Sequence, residues 1–278
     1  MFKIIGIVTS YYPNLDDLEK NIKSYLPWID RLIIWENTPA DKSIIKQLIN
    51  RFQNDKIEVR TTGKNEYLAF PFNETILWAQ KQGYTHLLTM DQDSYFKEDS
   101  FGQFIERIKT FNDDSVGIFA PTTSRKSGKE SNTIYIDKGS VYSSGSIYKT
   151  AMFDKIGGFR EDFAIYCLDT EICMRARKNG YKIALFTDIY MEHTEGYKTR
   201  GSFGITINNY SAQSTYFYVR NNLLLWKIYP DDFLFSAKYK FFKYHVFFRI
   251  LKIYFEKDKM AKLKSLLLGI LHGIKTAV

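Results

Sequence analysis

Residues 84–96, YTHLLTMDQDSYF, pass from an apolar run directly into two carboxylates. Residues 87–90 are predicted to form a buried strand, and Asp91 and Asp93 follow it with one residue between them. Side chains two apart on an extended chain share a face, so these charges repel unless something positive lies between them. Carboxylate oxygens suit a hard divalent cation such as Mg²⁺ or Mn²⁺. The alternative is an ordinary solvated turn.

The segments on either side of this stretch alternate between strand and helix patterns. The predicted strands cover residues 2–9, 31–35, 57–61, 85–90 and 116–121, and the predicted helices cover residues 14–26, 41–52, 73–82 and 99–111. Asn14 is the expected N-cap of the first helix. This alternation predicts an α/β fold with a mostly parallel sheet, and such sheets bind ligands outside the carboxyl ends of their strands. Asp91 and Asp93 fall at such an end.

After residue 121 the pattern becomes less regular. Residues 123–132 are predicted to form a polar loop, residues 133–142 a strand, and residues 143–159 a Gly/Ser turn followed by a short helix. A further helix begins at residue 168, ends at Asn179 and Gly180, and is followed by another strand.

Two polar side chains in this half are candidates for chemistry. His193 follows the last predicted strand and would complete a metal site begun by Asp91 and Asp93, or it is simply a hydrogen-bonded polar residue. Asp169 lies in the first turn of the helix that begins at residue 168. A carboxylate there is either a helix cap or a general base beside a cleft.

The net charge of +8 comes entirely from the end of the chain, since residues 233–278 carry ten basic residues and two acidic ones. The sequence therefore predicts a catalytic domain over residues 1–232 and a basic, aromatic-rich helical region over residues 233–278. The latter has the composition of an interfacial helix on an anionic membrane. Packing against the catalytic domain, or against a second subunit in a homodimer, is the alternative. No nucleic-acid-binding motif is present in the sequence, so no nucleic-acid partner is expected.

The cysteines and the N-terminal residues indicate the cellular compartment in which the protein is expected. Cys167 and Cys173 form neither a disulfide framework nor a CxxC motif. The start, MFKIIGIVTSYY, lacks the cleavage site of a signal peptide, and no apolar stretch reaches the roughly 18–20 residues of a membrane span. We expect a cytoplasmic protein, with peripheral contact at the inner face of the membrane through residues 233–278.

Three segments occur in a specific order: LTMDQDS at 88–94, SSGSIYKTAMFDKIGGFREDFAIYCLDTEICMRARKNGY at 143–181, and MEHTEGY at 191–197. In this order they resemble the family 2 glycosyltransferases of the GT-A fold, especially the bacterial rhamnosyltransferase-like branch. The resemblance covers about residues 1–222. It implies transfer of a sugar from a nucleotide-diphosphate donor, such as a dTDP- or UDP-sugar, to a saccharide or lipid-linked acceptor in cell-surface polysaccharide synthesis.

The resemblance also implies a role for each matching position. Asp91, Asp93 and His193 would hold Mn²⁺ or Mg²⁺ and the donor diphosphate. Asp169 would be the base that deprotonates the acceptor hydroxyl, and Glu171 would support the acceptor site or the fold. The positions expected to border the nucleotide-sugar, besides Asp91, are Thr9, Tyr11, Glu36, Asn65, Gln92, Ser144 and Gly145.

Three positions depart from the usual family pattern. Arg160 and Tyr166 stand where relatives often have Asp, and Ile172 stands where they have Trp near the acceptor. These departures leave the fold and the chemistry intact but leave the donor sugar and the acceptor open.

Elementary chemistry supports an inverting mechanism. A metal stabilises the charge that builds on a departing diphosphate, and one carboxylate on the opposite side can take the acceptor's proton. Retention would need an added nucleophile, which is not evident in the sequence.

Two rival functions stay open. A nucleotidyltransferase usually has a Gly-rich, basic loop after the first strand, and TSYYPNLDD at 9–17 has neither feature. An inactive sugar-binding or scaffold protein of the same fold would have no need of the acids and the histidine together.

Overall fold

The computed structural model describes residues 2–123, 133–193, 198–200, 206–208 and 210–277. The chain forms two compact units. The first comprises Met1–Ala164 and Leu168–Thr194, and the second comprises Ile165–Cys167 and Glu195–Val278. Compactness does not by itself define the catalytic part of a chain, so the assignment of residues 1–232 to catalysis stays a prediction.

The first unit is built on one sheet with helices against it. In the described residues its strands, in chain order, are β1 Ile4–Ser10, β2 Arg31–Glu36, β3 Ile57–Arg60, β4 His86–Asp91, β5 Ser94–Phe96, β6 Val116–Thr122, β7 Thr133–Tyr135, β8 Ile147–Lys149 and β9 Lys182–His193. Its helices are α1 Leu15–Lys23, α2 Ile45–Phe52, α3 Ala69–Lys81, α4 Ser100–Lys109, α5 Thr150–Ile156 and α6 Leu168–Lys178.

The strands lie in the order β3-β2-β1-β4-β8-β6-β9-β5, with β7 also paired to β9. Strands β3, β2, β1 and β4 are parallel, so their carboxyl ends meet at one edge. Strand β8 is antiparallel to both of its neighbours, and β5 and β7 are antiparallel to β9. The α/β prediction is confirmed, but the sheet is mixed where a mostly parallel one was expected. The antiparallel strands β5, β7 and β8 have three residues each and are too short to show a period.

Helix-covered parallel strands account for the core of this unit. All seven residues of β1 are buried, as expected for a strand with both faces covered. On α1, Leu15, Leu18 and Ile22 are buried on one face, at helical spacing. The side chain of Asn14 accepts hydrogen bonds from the next helical amides, which confirms the predicted N-cap.

Several element boundaries differ from the predicted ones. The helix predicted from residue 73 begins earlier, at Ala69. Pro71 does not prevent this, since it falls in the first turn, where a proline is tolerated. The helix predicted from residue 41 begins at Ile45, after a separate short turn. The strand predicted over residues 133–142 ends at Tyr135. Most of the loop predicted at 123–132 lies outside the described residues.

The second unit is mainly helical. Its elements are β10 Lys198–Arg200, β11 Thr206–Asn208, α7 Ala212–Ile228, α8 Phe235–Phe241, α9 Phe248–Ile253 and α10 Lys259–Lys275, with a π-helical segment Phe242–Phe247 joining α8 to α9. Helix α10 lies close against α7. A Cβ added to Gly269 would be 2.8 Å from the Tyr216 carbonyl oxygen, and one added to Gly273 would be 2.8 Å from Leu223 Cβ. The glycines therefore permit the close approach of the two helices.

A buried ion cluster joins α9 to α10. Arg249 and Lys262 both pair with Glu256, and all three side chains are buried. Arg249 also donates to Thr215 Oγ1 on α7. Two of the ten basic residues predicted to form a charged surface on residues 233–278 therefore lie inside the unit. Among the described residues, the helices are all too short or too polar to cross a bilayer.

Candidate active site

The two acids of the DQD segment lie at the carboxyl edge of the parallel strands. Asp91 is the last residue of β4 and is paired in register with Thr9 of β1. The chain then turns through Gln92 and Asp93 before it re-enters the sheet at Ser94. The acids were expected on one face of an extended strand. Only Asp91 is in a strand, and the turn brings Asp93 beside it.

A short antiparallel ribbon brings His193 to these acids. Strand β5 pairs with the end of β9, and Ser94 stands opposite His193. The Nδ1 atom of His193 lies 3.5 Å from Asp93 Oδ1. One ligand atom from each of Asp91, Asp93 and His193 lies within 4.8 Å of the others, and we call these three residues the Asp-Asp-His cluster. The structure thus brings together the three residues predicted to bind the metal.

Two buried serines connect the members of the cluster. The Asp91 amide donates to Ser144 Oγ at 3.0 Å, and the Ser144 hydroxyl donates to Ser94 Oγ at 2.8 Å. Ser94 Oγ lies 2.7 Å from His193 Nδ1. A hydroxyl oxygen accepts two hydrogen bonds, so Ser94 can also accept the Nδ1 proton. That tautomer leaves the Nε2 lone pair of His193 for a cation.

Ser94 is a site residue that sequence reasoning missed. Its only sequence signal is its place directly after the DQD segment. Its role comes from the pairing of β5 with β9, which joins residues far apart in the chain.

The electrostatics of the cluster favour a cation. Burial, and then the like charge of Asp93, raise the pKa of Asp91 to about 7, and Asp169 adds to the rise while His193 opposes it. Burial also raises the pKa of Asp93, against the opposing influence of His193. Asp93 Oδ1 is buried without a hydrogen-bond partner among the described residues, although the side chain as a whole is 45% exposed. Two carboxylates, an unpartnered oxygen and an imidazole fit a divalent metal ion.

Asp169 lies at the head of α6, near this cluster. It is the second residue of the helix and is partly exposed. Burial raises its pKa, while hydrogen bonds from the backbone amides of Asp169 and Ser143 favour its charged form. The negative charge of Asp169 helps to raise the pKa of Asp91. A carboxylate with a raised pKa is suited to accept a proton.

Glu171, one turn further along α6, is buried and engaged elsewhere. Its two carboxylate oxygens accept from Arg175 at 2.9 and 2.8 Å. Arg175 also donates to the carbonyls of Ile156 and Gly158 and so ties α6 to the end of α5. These contacts favour support of the fold over contact with an acceptor.

The residues predicted to border the nucleoside follow the ends of the parallel strands, and the loops there use several of their polar atoms. The Gln92 amide accepts from the Tyr11 amide at 2.8 Å and donates to the Tyr11 carbonyl at 3.2 Å. Buried Glu36 accepts from the Thr38 amide at 2.7 Å. Asn65 accepts from the amide two residues on. These side chains shape the edge, and their contact with a nucleotide stays a prediction.

Gly145 is required by the backbone of the turn before β8. Its φ of +80° is in the region that favours glycine, and a Cβ there would lie 2.4 Å from Met191 Sδ and 2.9 Å from Pro121 Cγ. Its amide donates to the Thr89 carbonyl at 2.8 Å. The turn holds the neighbouring Ser144 against Asp91. A contact between Gly145 and the donor stays a prediction.

A cluster of metal-binding side chains at the carboxyl edge of parallel strands is the arrangement expected of a nucleotide-sugar transferase. The comparison with known proteins agrees. The chain matches the model of Glycosyl transferase family 2 over residues 7–178 and belongs to that family. The predicted family and the glycosyltransferase activity are thereby confirmed.

Within this family the chain is rhamnosyltransferase-like. It is 25% identical to the dTDP-rhamnosyl transferase RfbF of Shigella flexneri, over 98% of this chain and 95% of the relative.

Solved structures confirm the GT-A fold. GalNAc-T7 with UDP, GalNAc and Mn²⁺ has a TM-score of 0.61 at 11% identity; the match covers 88% of this chain and 54% of GalNAc-T7, about half of that longer protein. Residues 1–349 of S. aureus TarS in complex with UDP-GlcNAc have a TM-score of 0.55 at 16% identity, over 99% of this chain and 81% of TarS.

Proposed function

We propose that the protein is a metal-dependent, inverting glycosyltransferase of bacterial cell-surface polysaccharide synthesis. Its donor is a dTDP- or UDP-linked sugar, with dTDP-rhamnose as the first to test, and its acceptor is a saccharide or a lipid-linked saccharide. The observation that carries the proposal is the Asp-Asp-His cluster, with Asp169 nearby. The name of the Shigella flexneri relative supports the donor, and the Mn²⁺ in the GalNAc-T7 structure supports a divalent metal.

Each group has one task in this proposal. Asp91, Asp93 and His193 would hold Mn²⁺ or Mg²⁺, which when bound stabilises negative charge on the diphosphate leaving group. Ser94 and Ser144 orient the cluster through their hydrogen bonds. Asp169 accepts the proton of the acceptor hydroxyl, and its raised pKa makes it a better base than an ordinary carboxylate. A single carboxylate acting as base gives inversion at the sugar carbon.

The metal site is tested by calorimetry with UDP and dTDP, with and without Mn²⁺. We expect Mn²⁺-dependent nucleotide binding by the native protein and its loss in Asp93→Ala. The exposed Asp114→Ala is the control for removing one acidic charge and should bind as the native protein does. Undiminished binding of metal and nucleotide by Asp93→Ala would place the site elsewhere.

The base is tested by turnover. Asp169→Asn should bind nucleotide normally and lose roughly 10²–10⁴-fold in turnover, the usual contribution of a general base. The neighbouring Thr170→Ala is the control, and the anomeric configuration of the product reports inversion. Near-normal turnover of Asp169→Asn would leave Asp169 as a helix cap. Binding without turnover of any sugar in a donor panel would favour the inactive scaffold.

We place the reaction in the cytoplasm, at the inner face of the membrane when the acceptor is lipid-linked. The acidic and imidazole cluster and the match over residues 7–178 support a sugar donor in preference to a nucleotidyltransferase reaction.

A further inference from the structure

The second unit contains a helical segment with an unusually apolar surface. Residues 234–255 run through α8, the π-helical segment and α9, and we call them the aromatic arm. Many of its large apolar side chains are exposed, Phe235 at 83% and Tyr254 at 70% among them. The others exposed are Leu234, Tyr239, Phe242, Tyr244, Phe247, Phe248, Ile250, Leu251 and Phe255. Many exposed large apolar side chains in one segment usually mark a protein or membrane contact.

A small set of inward side chains holds the arm to its own unit. Phe241 packs edge-on against Trp226 of α7, with ring centroids 5.2 Å apart. Arg249 reaches Thr215 of α7 and pairs with Glu256, and Ile253 is buried. The exposed ring of Phe242 also contacts Trp226, with ring centroids 5.8 Å apart. Among the described residues, the exposed rings of Phe235, Tyr239, Phe247 and Phe255 make no such ring contact with α7, so changing these four should leave the unit folded.

The two halves of residues 233–278 differ in how far their apolar side chains are packed against the rest of the unit. Helix α10 packs on α7 through Leu266, Gly269 and Gly273. The aromatic arm instead presents its rings to solvent. Helix α10 also exposes Leu267, Leu271 and Ile274, but the arm has the larger set of exposed apolar side chains and is therefore the stronger candidate for docking.

The exposed charge within the arm and directly after it is mostly positive, although the exposed acids Asp231 and Asp232 precede the arm. Lys240, Lys243, Lys252, Lys257 and Lys259 are exposed. Between residues 234 and 260, all of which the structure describes, Asp258 is the only exposed acid, because Glu256 is buried between Arg249 and Lys262. The ion cluster thus removes Glu256 from the surface together with Arg249 and Lys262, and the exposed lysines remain.

We propose that the aromatic arm docks peripherally on an anionic lipid surface. Its aromatic and aliphatic side chains enter the boundary between headgroups and acyl chains, and its lysines lie among acidic headgroups with their stems along the apolar surface. This inference rests on the proposed function in that a lipid-linked acceptor would be held at such a surface.

Charge favours lipid over a second copy of this chain as the occupant. A symmetric dimer through the arm would bring its own lysines together, and lysine is depleted from the cores of protein interfaces. An anionic bilayer neutralises the same lysines.

The test is flotation of the full chain with vesicles of phosphatidylcholine alone and of phosphatidylcholine with phosphatidylglycerol. We expect binding to the anionic vesicles only, and its loss in about 1 M salt, where the Debye length falls to about 3 Å. A variant combining Phe235→Ser, Tyr239→Ser, Phe247→Ser and Phe255→Ser should bind about tenfold less or weaker still. The control is Leu77→Ser, an exposed apolar residue of α3, which should float as the native protein does.

Further variants and measurements separate the possible outcomes. Combined Lys240→Glu, Lys243→Glu and Lys252→Glu should abolish the preference for anionic vesicles. Asp93→Ala should float normally, since docking needs neither metal nor turnover, so a failure of the proposed reaction is distinguishable from a failure of docking. A native protein that stays unbound with anionic vesicles at low salt overturns the proposal. So does a native dimer, seen by light scattering, that the four-serine variant converts to a monomer while vesicle binding is absent.

Discussion

At the scale of single residues, Ser94 determines how His193 can act. Its buried hydroxyl lies within hydrogen-bond distance of both Ser144 Oγ and His193 Nδ1. Groups that orient a metal-binding histidine typically change metal affinity by about 10- to 100-fold when they are removed. The loss of metal affinity on removal of this one hydroxyl should therefore be measurable without any turnover assay.

We expect Ser94→Ala to weaken Mn²⁺ binding by about 10- to 100-fold in a calorimetric titration, because His193 Nδ1 loses the hydrogen-bond partner that orients the ring. Ser146→Ala is the matched control, since Ser146 is equally buried and donates to the Tyr142 carbonyl. Equal Mn²⁺ affinity in Ser94→Ala and the native protein would show that the serine only fills space.

Asp91 carries a stability cost in the metal-free protein. Its pKa is about 7 in the folded state, because burial and Asp93 disfavour the charge, against an ordinary value of 3.8. Between these values the folded state binds a proton that the unfolded state does not, so the stability contributed by this group falls as pH rises. The cost is absent below about pH 4 and complete above about pH 7.

Asp91→Asn should therefore raise the unfolding temperature of the chelator-treated protein at pH 8, by several degrees as an order of magnitude, and by much less at pH 4. The same variant should lose Mn²⁺ binding. Thermal unfolding followed by circular dichroism at the two pH values measures the difference. An unchanged or lower unfolding temperature at pH 8 would contradict the burial argument.

At the scale of elements, the contact of α7 with α10 depends on glycine. An alanine at a helical glycine normally stabilises by about 1 kcal/mol. At Gly269 the new methyl would be 2.8 Å from the Tyr216 carbonyl oxygen, and a backbone atom cannot move aside as a flexible side chain can. Overpacking of this kind typically costs about 1–3 kcal/mol, so the steric cost should exceed the gain in helix propensity.

We expect Gly269→Ala to lower the free energy of unfolding by up to about 2 kcal/mol in urea titrations. Ala261→Gly, at an exposed position of the same helix, measures the propensity effect alone and should cost up to about 1 kcal/mol. A more stable Gly269→Ala protein would mean that α7 and α10 can separate slightly at no cost.

At the scale of the whole molecule, metal binding should stabilise the folded chain. A ligand that binds only the folded state at 100 times its dissociation constant contributes about 2.7 kcal/mol. We expect Mn²⁺ to raise the unfolding temperature of the native protein in calorimetric scans, and chelator to reverse the rise. Asp93→Ala should show no such shift. A shift of equal size in that variant would indicate binding at another place.

Much of this molecule follows from local sequence. The apolar runs of β1, β2 and β4, the spacing of Leu15, Leu18 and Ile22 on α1, and the Asn14 cap each depend on neighbours within a few residues. Asp91 and Asp93 could be assigned to the carboxyl edge because parallel strands bring those ends together. The motifs then identified the family, and the model match over residues 7–178 confirms it.

Other features depend on contacts between segments that are far apart in the sequence. The three-residue strands β5, β7 and β8 have no period of their own, and their pairing makes the sheet mixed. The pairing of β5 with β9 places Ser94 against His193, 99 residues away. Burial of Arg249 and Lys262 around Glu256 depends on contacts between helices.

Sequence by itself determined the alternation of helices and longer strands over residues 1–121, the family and the residue types of the site, because those depend on short-range periodicity and motif. Tertiary structure decided which serine orients the histidine, which lysines are buried and which aromatic rings of residues 233–278 are exposed. A row of alternating aromatic and basic residues has the same local pattern whether it faces a core or a lipid surface. The contacts that Phe241 and Arg249 make with α7, together with the packing of α10 on α7, determine which side chains of that row are exposed.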